Sequence, residues 1–309
     1  MDDYNKVISL VIRVRNNAKD LQKCLGVIQQ QVLQDGLNLE IIVVDNESTD
    51  SSSIIAKSYG AKVVSLPVKE FSWGRALNLG IEASSGEIVL LLSADAHPVR
   101  DNWISEMLKP FGDSRVAAVY GRQIPRFDAP IDEIIRLKNT FGSTSIVAKC
   151  LPEKFTPKRS GSFPVSNACA AILKEVWKTF PYDEDIEGGE DVHWSYSIFQ
   201  RKYYLVYQAS ASVYHSHNDP VFRSAWRNLE LMVKNVELTG GEVNFLMYIH
   251  LFLSKTKQRI LNSGARGIRL RSRLKGLMSL PLELLAYCIV TCFFYNPKVR
   301  IKCRSFFWG

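Results

Sequence analysis

A chain of 309 residues, 46% hydrophobic and 23% charged, is ordinary for a globular protein and long enough to bury a full α/β core with a second small region left over. Its six cysteines (Cys24, Cys150, Cys169, Cys288, Cys292, Cys303) lack the paired spacing of a metal-ligand framework, which speaks for reduced thiols and a cytoplasmic setting. The net charge of +8 is uneven: from Lys255 onward twelve Lys/Arg face the single acid Glu283, leaving about −3 for residues 1–254, so the basic excess belongs to the tail and implies an anionic surface there.

In chain order, Met1 is followed by two aspartates, so no signal peptide is expected. Val7 to Val14 reads as a first strand, apolar except for Arg13 at its end. Asn16, Asn17 and Asp20 offer caps to a helix with Leu21, Cys24, Leu25 and Ile28 on one face. Leu39 to Val44 is a second strand ending at Asp45, and residues 46–50 turn into a helix with Ile54, Ile55 and Ala56. Ala61 to Leu66 is a third strand, and Arg75 to Ala83 a helix ended by Ser84, Ser85 and Gly86. Ile88 to Leu92 is a continuous apolar run, suited to a strand covered on both faces. This alternation predicts a parallel sheet with helical crossovers.

Asp95 follows the fourth strand by three residues, at the end of the sheet where ligands bind in open α/β folds. A carboxylate there suits a metal or a metal on a phosphate; the plainer alternative is a cap for the helix around Trp103. Neither a Gly-x-Gly-x-x-Gly turn nor a Gly-x-x-x-x-Gly-Lys-Ser/Thr loop occurs, so a nucleotide here is gripped by side chains. Val116 to Gly121 is a further strand, residues 122–165 are irregular and punctuated by prolines, and Ala168 to Leu173 resumes a strand. Gly188-Gly189 permit a tight turn, and Glu190-Asp191 fall in the first turn of the next helix, whose N-terminus favours an ionised carboxylate at neutral pH. Leu205 to Tyr214 gives two short strand-like segments, closing at Tyr214-His215-Ser216-His217.

Residues 70–98, from Glu70-Phe-Ser-Trp-Gly-Arg75 to Ser93-Ala94-Asp95-Ala-His-Pro98, together with Gly-Gly-Glu190-Asp191, resemble the inverting glycosyltransferases of the GT-A fold in their large second family. The resemblance implies an α/β fold with a mixed, mostly parallel sheet flanked by helices. It implies a nucleotide-sugar donor (dTDP-, UDP- or GDP-linked), with Arg13, Asn16, Asp45, Glu47, Arg75, Asn78, Ser93, Ala94 and Asp95 around it. Asp45 and Arg75 would then contact the base, ribose or diphosphate. Family members carry Asp-x-Asp where this chain has Ser93-Ala94-Asp95, so a divalent metal (Mg²⁺ or Mn²⁺) is expected to be weakly held and to lean on the diphosphate and water.

By the same resemblance Asp191 is the general base, taking the proton of an acceptor hydroxyl as its oxygen displaces the nucleoside diphosphate with inversion. Glu190 and Trp194 stand on the acceptor side, Trp194 being suited equally to a sugar face and to the core. A histidine at this point in relatives reaches the metal or diphosphate, so His215 and His217 are both candidates. The motifs look most like the bacterial rhamnosyltransferase branch, which implies dTDP-L-rhamnose and a glycan or lipid-linked acceptor. Read without the resemblance, Asp45 is a turn former, Asn78 a packing residue, Glu190 and Asp191 helix-end acids, and the histidines structural.

The domain reading is a glycosyltransferase body over 1–240 (nucleotide half 1–121, acceptor half 122–240) and a helical basic region over 241–309. Phe222 to Leu238 is an amphipathic helix, Lys255 to Lys275 holds eight basic residues and no acid, and Leu277 to Tyr295 is apolar apart from Glu283. An in-plane helix on anionic lipid fits that tail better than a membrane span, placing the protein on the inner membrane face; docking on a second subunit to form a homo-oligomer is the other option. Nucleic acid is not expected, because aromatics are not interleaved with the basic residues. The rival to an enzyme is a degenerate GT-A scaffold in a glycan-assembly complex, a reading fed by Ser93.

Overall fold

The computed structural model describes residues 6–148, 164–186 and 188–217. Its first part alternates strand and helix: β1 (Lys6–Val14), α1 (Ala18–Ile28), β2 (Leu37–Asp45), α2 (Ser52–Ser58), β3 (Lys62–Ser65), α3 (Trp73–Glu82) and β4 (Ile88–Ser93). β1 lies between β2 and β4, with β3 outside β2, and all these pairs are parallel. The chain therefore winds one way from β1 through β2 to β3, then returns to β4 on the other side of β1. Beyond the carboxyl ends of β1 and β4 such a reversal opens a crevice, the usual ligand site of an open α/β sheet.

The second part adds β5 (His97–Pro98), α4 (Trp103–Leu108), β6 (Val116–Ile124), α5 (Ile131–Thr140), β7 (Ile146–Ala148), β8 (Cys169–Leu173), α6 (Lys174–Thr179), α7 (Glu190–Gln200) and β9 (Tyr204–Tyr214). β8 runs antiparallel between β4 and β6, and β9 runs parallel to β6 with β5 and β7 antiparallel to it. The sheet order is β3-β2-β1-β4-β8-β6-β9-β5, mixed and mostly parallel in its first half.

Both faces are covered, which is why the strands read as continuous apolar runs. Leu10, Ile12, Leu90 and Leu92 pack with Leu21, Cys24, Leu25 and Ile28 of α1 on one face. On the other, Val11, Val89 and Leu91 meet Ala76, Leu77 and Ile81 of α3 and Trp194 and Ile198 of α7. The split of Val11 from Leu10 and Ile12 is the two-residue period of a strand.

Two expectations are corrected. Residues 122–165 are not irregular throughout: they contain α5 and β7. Leu205–Tyr214 is one strand, not two, because β6 pairs with both of its halves across a bulge where the register jumps from Gly121↔Gln208 to Arg122↔Ser212. On α2 the inward residue is Ala56, while Ile54 is 72% exposed. The strands and the helices packed on them form one unit; residues 125–139, most of α5 among them, belong to a second with its own small core of Ala129, Ile131, Ile134 and Ile135. The division expected at 121 and 122 falls inside β6. The amphipathic helix at 222–238, the basic run at 255–275 and the apolar stretch at 277–295 lie outside the described residues.

One carboxylate ties the amino ends of the central strands. Glu40 on β2 accepts from Ser9 Oγ on β1 and from the backbone N–H and hydroxyl of Ser85 and the N–H of Gly86, at the turn into β4. Burial pushes the Glu40 carboxyl up, but these four donors outweigh it, and the group sits below the ordinary glutamate range. A depressed acid stabilises the fold above its unfolded pKa and loses that contribution as pH falls through the folded one. Glu40→Gln is expected to cost about 1–3 kcal/mol at pH 7 in urea unfolding. The gap to the native chain should close as the pH drops into the acid range.

Candidate active site

The ends of the central strands stand level. Arg13 is opposite Ser93 on one side and Val44 on the other, and Val14 is opposite Asp45. Past Ser93 the chain makes a tight turn, Ala96 N–H bonding Ser93 O at 2.9 Å. β5 then pairs with the end of β9, His97 opposite Tyr214. That pairing carries the next residue, His215, to Asp95: Nε2 is 3.5 Å from Asp95 Oδ1.

The His215 ring is buried, and its Nδ1 is 2.8 Å from Gln123 Oε1. An amide oxygen only accepts, so in the neutral ring Nδ1 holds the proton and Nε2 presents its lone pair towards the carboxylate. Two acceptors facing each other at that distance call for a cation or proton between them. His217, the other predicted ligand, follows two residues later and belongs to the second unit. A carboxylate with an imidazole suits Mn²⁺ better than an all-oxygen Mg²⁺ site.

The second acid arrives on α7. Gly188 and Gly189 take φ of 123° and 77°, left-handed values that a side chain resists, and turn the chain into the helix. Asp191 Oδ1 accepts its neighbour Val192 N–H at 2.8 Å, and the Asn167 main-chain N–H lies near enough to favour its charged form. The helix is locked by Ser195, whose hydroxyl donates to Asp191 O at 2.6 Å and meets the buried Tyr120 hydroxyl. Burial first, and the Glu190 carboxylate second, outweigh the helix end and push Asp191 up to about 7.

The third charged group is Arg13, at the end of β1. Its guanidinium stacks on the Trp73 ring, 3.6 Å from the centroid, and its Nε and Nη1 are buried with no hydrogen-bond partner. Burial pulls its pKa down to about 10, against the pull of Glu190, Asp95 and Asp191. One cation thus feels both predicted acids.

The other predicted residues are structurally engaged. Asn16 and Glu47 hold left-handed backbones, φ 46° and 49°. Asn16 Oδ1 accepts Thr49 N–H, Asp45 Oδ1 accepts Ser48 N–H, and Glu47 Oε2 accepts Val68 N–H, so the loops around the end of β2 are knitted together. Arg75 bridges Glu70 and Glu184 at 3.0 and 3.1 Å. Asn78 donates to Tyr182 O and Glu184 and accepts from Trp177 Nε1 and Tyr182 N–H, a full complement for an amide. Ala94 is buried, and Glu190 is buried beside Asp191. Of the two positions open to Trp194, its ring takes the core: it is 1% exposed, stacked on Tyr182, and bonded through Nε1 to Phe180 O.

Sequence reasoning does not single out Gln123, Asn167 or Tyr182. A glutamine among the apolar residues of β6 was the one local signal; the other two owe their places to tertiary packing.

This geometry agrees with the comparisons. The family model described as glycosyl transferase family 2 matches residues 9–180. The chain belongs to that family. This family 2 chain is similar to the O-antigen chain rhamnosyltransferase WbaN of Salmonella anatum, 31% identical over 183 residues that cover 58% of this chain and 57% of the relative. It is also similar to RfbN of Salmonella typhimurium, 28% identical over 215 residues, 68% and 67% of the two chains. The matched region is thus little more than half of the first relative.

Among solved structures, the mannosyltransferase PcManGT of Pyrobaculum calidifontis, in complex with GDP-Man and Mn²⁺, aligns at a TM-score of 0.58 with 17% identity over 91% of this chain and 86% of its own. Glucosyl-3-phosphoglycerate synthase of Mycobacterium tuberculosis, with Mn²⁺, UDP-Glc and phosphoglyceric acid, aligns at 0.56 with 19% identity over 77% and 81%. At such identities they speak for the fold, which is the GT-A fold expected from the sequence.

Asn78→Ala strips four hydrogen bonds from the segment leading to α7 and leaves Trp177 Nε1 and Tyr182 N–H unpaired. The expected loss is about 2–4 kcal/mol in thermal or urea unfolding, with faster amide hydrogen exchange over residues 180–186.

Proposed function

We propose that this family 2 chain is an inverting glycosyltransferase that moves a sugar, L-rhamnose from its dTDP donor, to a hydroxyl of a glycan or lipid-linked acceptor. The observation that carries the reading is the Arg13 guanidinium, its Nε and Nη1 buried without a partner, which feels the charges of Glu190, Asp95 and Asp191. A carboxylate titrating about 7 and a carboxylate–imidazole group then serve one substrate. The similarity to two rhamnosyltransferases supports the sugar.

In this mechanism the Asp191 carboxylate receives the proton of the acceptor hydroxyl. The freed oxygen forms its bond to the anomeric carbon as the bond from that carbon to the diphosphate oxygen breaks on the opposite face, inverting the centre. A base with a pKa about 7 is well matched to an alcohol deprotonated only as it attacks. The partnerless guanidinium of Arg13 offers two N–H edges to anionic oxygen. Asp95 and His215 would hold a divalent ion, Mn²⁺ by the chemistry of the donor set, which supplies positive charge to the departing diphosphate. Asp45, Asn16 and Glu47 shape the base and ribose end, and Arg75 borders it. Among the described residues no helix is long and apolar enough to cross a membrane; the basic run beyond Lys255 is assigned to the anionic inner membrane surface, where lipid-linked acceptors lie.

The test is release of nucleoside diphosphate from dTDP-L-rhamnose, with UDP- and GDP-sugars in parallel. Asp191→Asn should lower turnover by about 10²–10⁴-fold and leave nucleoside diphosphate binding intact. In the native chain, kcat/KM should fall about tenfold per pH unit below about 7, because only the ionised base accepts a proton. Chelation should suppress turnover and Mn²⁺ restore it. Absence of turnover with every donor, while nucleotide still binds, would favour the scaffold instead.

A further inference from the structure

Among the described residues, Asn167 carries a buried donor with no partner: it is 8% exposed, and its Nδ2 makes no hydrogen bond. The residue is otherwise tightly defined. Tyr182 OH donates to its Oδ1 at 3.1 Å, which fixes the amide plane and leaves Nδ2 on the other edge. Tyr182 is held in turn by its stack on Trp194 and by Asn78. The main-chain N–H of Asn167 lies near the Asp191 carboxylate and favours its charged form. The next residue, Ala168, accepts Ser93 N–H at 3.3 Å, so Asn167 sits where the turn into β8 meets the end of β4.

A neutral amide donor thus belongs to a residue whose main chain adjoins both Asp191 and, through Ala168, the end of β4 at Ser93. An unpaired buried donor is costly unless something absent from the free protein accepts from it. Water-exposed loops lose little by such a vacancy, but this group has been taken out of water and oriented. Phosphate oxygens already have the bare Arg13 guanidinium; an uncharged donor suits an uncharged acceptor.

Resting on the reading of the cleft as a sugar-transfer site, we propose that Asn167 is a further donor-sugar-binding residue, its Nδ2 donating to a hydroxyl or ring oxygen of the transferred sugar while its main chain adjoins Asp191. The residue reads the sugar and not the nucleotide. Asn167 thereby joins recognition of the correct sugar to the setting of Asp191, since side chain and main chain of one residue serve the two.

The experiment compares binding of dTDP-L-rhamnose and of dTDP by isothermal titration, in the full chain with Mn²⁺, for the native protein, Asn167→Leu and Tyr182→Phe. Leucine is near-isosteric and removes the donor; phenylalanine breaks the same internal bond and leaves Nδ2 in place. Asn167→Leu should weaken nucleotide-sugar binding at least tenfold and change dTDP binding less than twofold. Tyr182→Phe should fall between Asn167→Leu and the native chain, and both variants should keep a kcat/KM limb about 7, because the main-chain N–H near Asp191 remains.

Equal losses for both ligands, unchanged binding of both, or a Tyr182→Phe effect as large as that of Asn167→Leu would overturn the assignment in favour of a structural role. If the native chain prefers a UDP- or GDP-sugar, the same comparison with that sugar and its diphosphate decides, and only the choice of rhamnose has failed. If it binds no nucleotide, the reading of the cleft falls and this assignment with it.

Discussion

A guanidinium whose Nε and Nη1 are shut off from water without a hydrogen-bonding partner is the constraint around which this crevice is arranged. Arg13 rests on Trp73 and feels three carboxylates. Desolvating a cation is unfavourable, and the field of Glu190, Asp95 and Asp191 offsets only part of that, since the pKa still falls. The acids come from distant parts of the chain, yet their positions are set by the same few strands. β4 supplies Asp95, and the helix carrying Glu190 and Asp191 packs on the face of the sheet that also bears Val11 and Leu91. Arg13 follows Val11 by two residues and shares that face. Across the ladder it meets Ser93. An acid at position 93 would stand beside Arg13 on the same side of the sheet and hold it in an ion pair. The serine does not, so the replacement that looks like a loss in the sequence is, in the fold, what leaves the cation open to an anion.

Much of the first hundred residues was legible because each element there satisfies a local rule. β1, β2 and β4 are short apolar runs covered on both sides, and α1 and α3 show the helical spacing of one buried face. Legibility declines where local signals compete. Prolines at 125 and 130 argued for a loop, but Pro130 stands just before α5, where its fixed φ starts a helix as readily as it ends one. Ile131, Ile134 and Ile135 had the spacing of a buried stripe and were outvoted by the prolines around them. β9 failed differently: its bulge interrupts the alternation a strand is recognised by, and only pairing with β6 restores it.

The site divides along the same line. That Asp95 and Asp191 belong together could be argued from motif and spacing. Their chemistry could not. A helix end favours an ionised acid, and the local rule is sound, but burial and the Glu190 charge act on Asp191 in the other direction, and the tyrosines that feel its charge, Tyr120 and Tyr182, have hydroxyls that burial drives up. Desolvation is a property of the assembled core, and no window of sequence contains it. The same holds for Trp194, equally suited to a sugar face or to the interior until Tyr182 is seen stacked against it. It holds for Gln123 too, an unremarked polar residue until it is found fixing the proton of His215.

What keeps Asp191 in register with the rest of the crevice is α3, and its first turns explain a glycine the sequence leaves unaccounted for. Asn78 grips Tyr182 and Glu184, and Arg75 pairs with Glu184, so the segment entering the Gly188-Gly189 turn is fastened to the helix before the chain reaches Asp191. Gly74 lies under that segment: a Cβ there would come within 2.3 Å of Asp183 O, closer than any side chain is tolerated. The backbone of residues 183–184 therefore sits directly on the start of α3, and only glycine permits it. Two glycines at the mouth of α7 have wide conformational freedom of their own. Anchoring the stretch before them to α3 narrows that freedom, so Asp191 is placed by the same helix that carries Arg75 and Asn78.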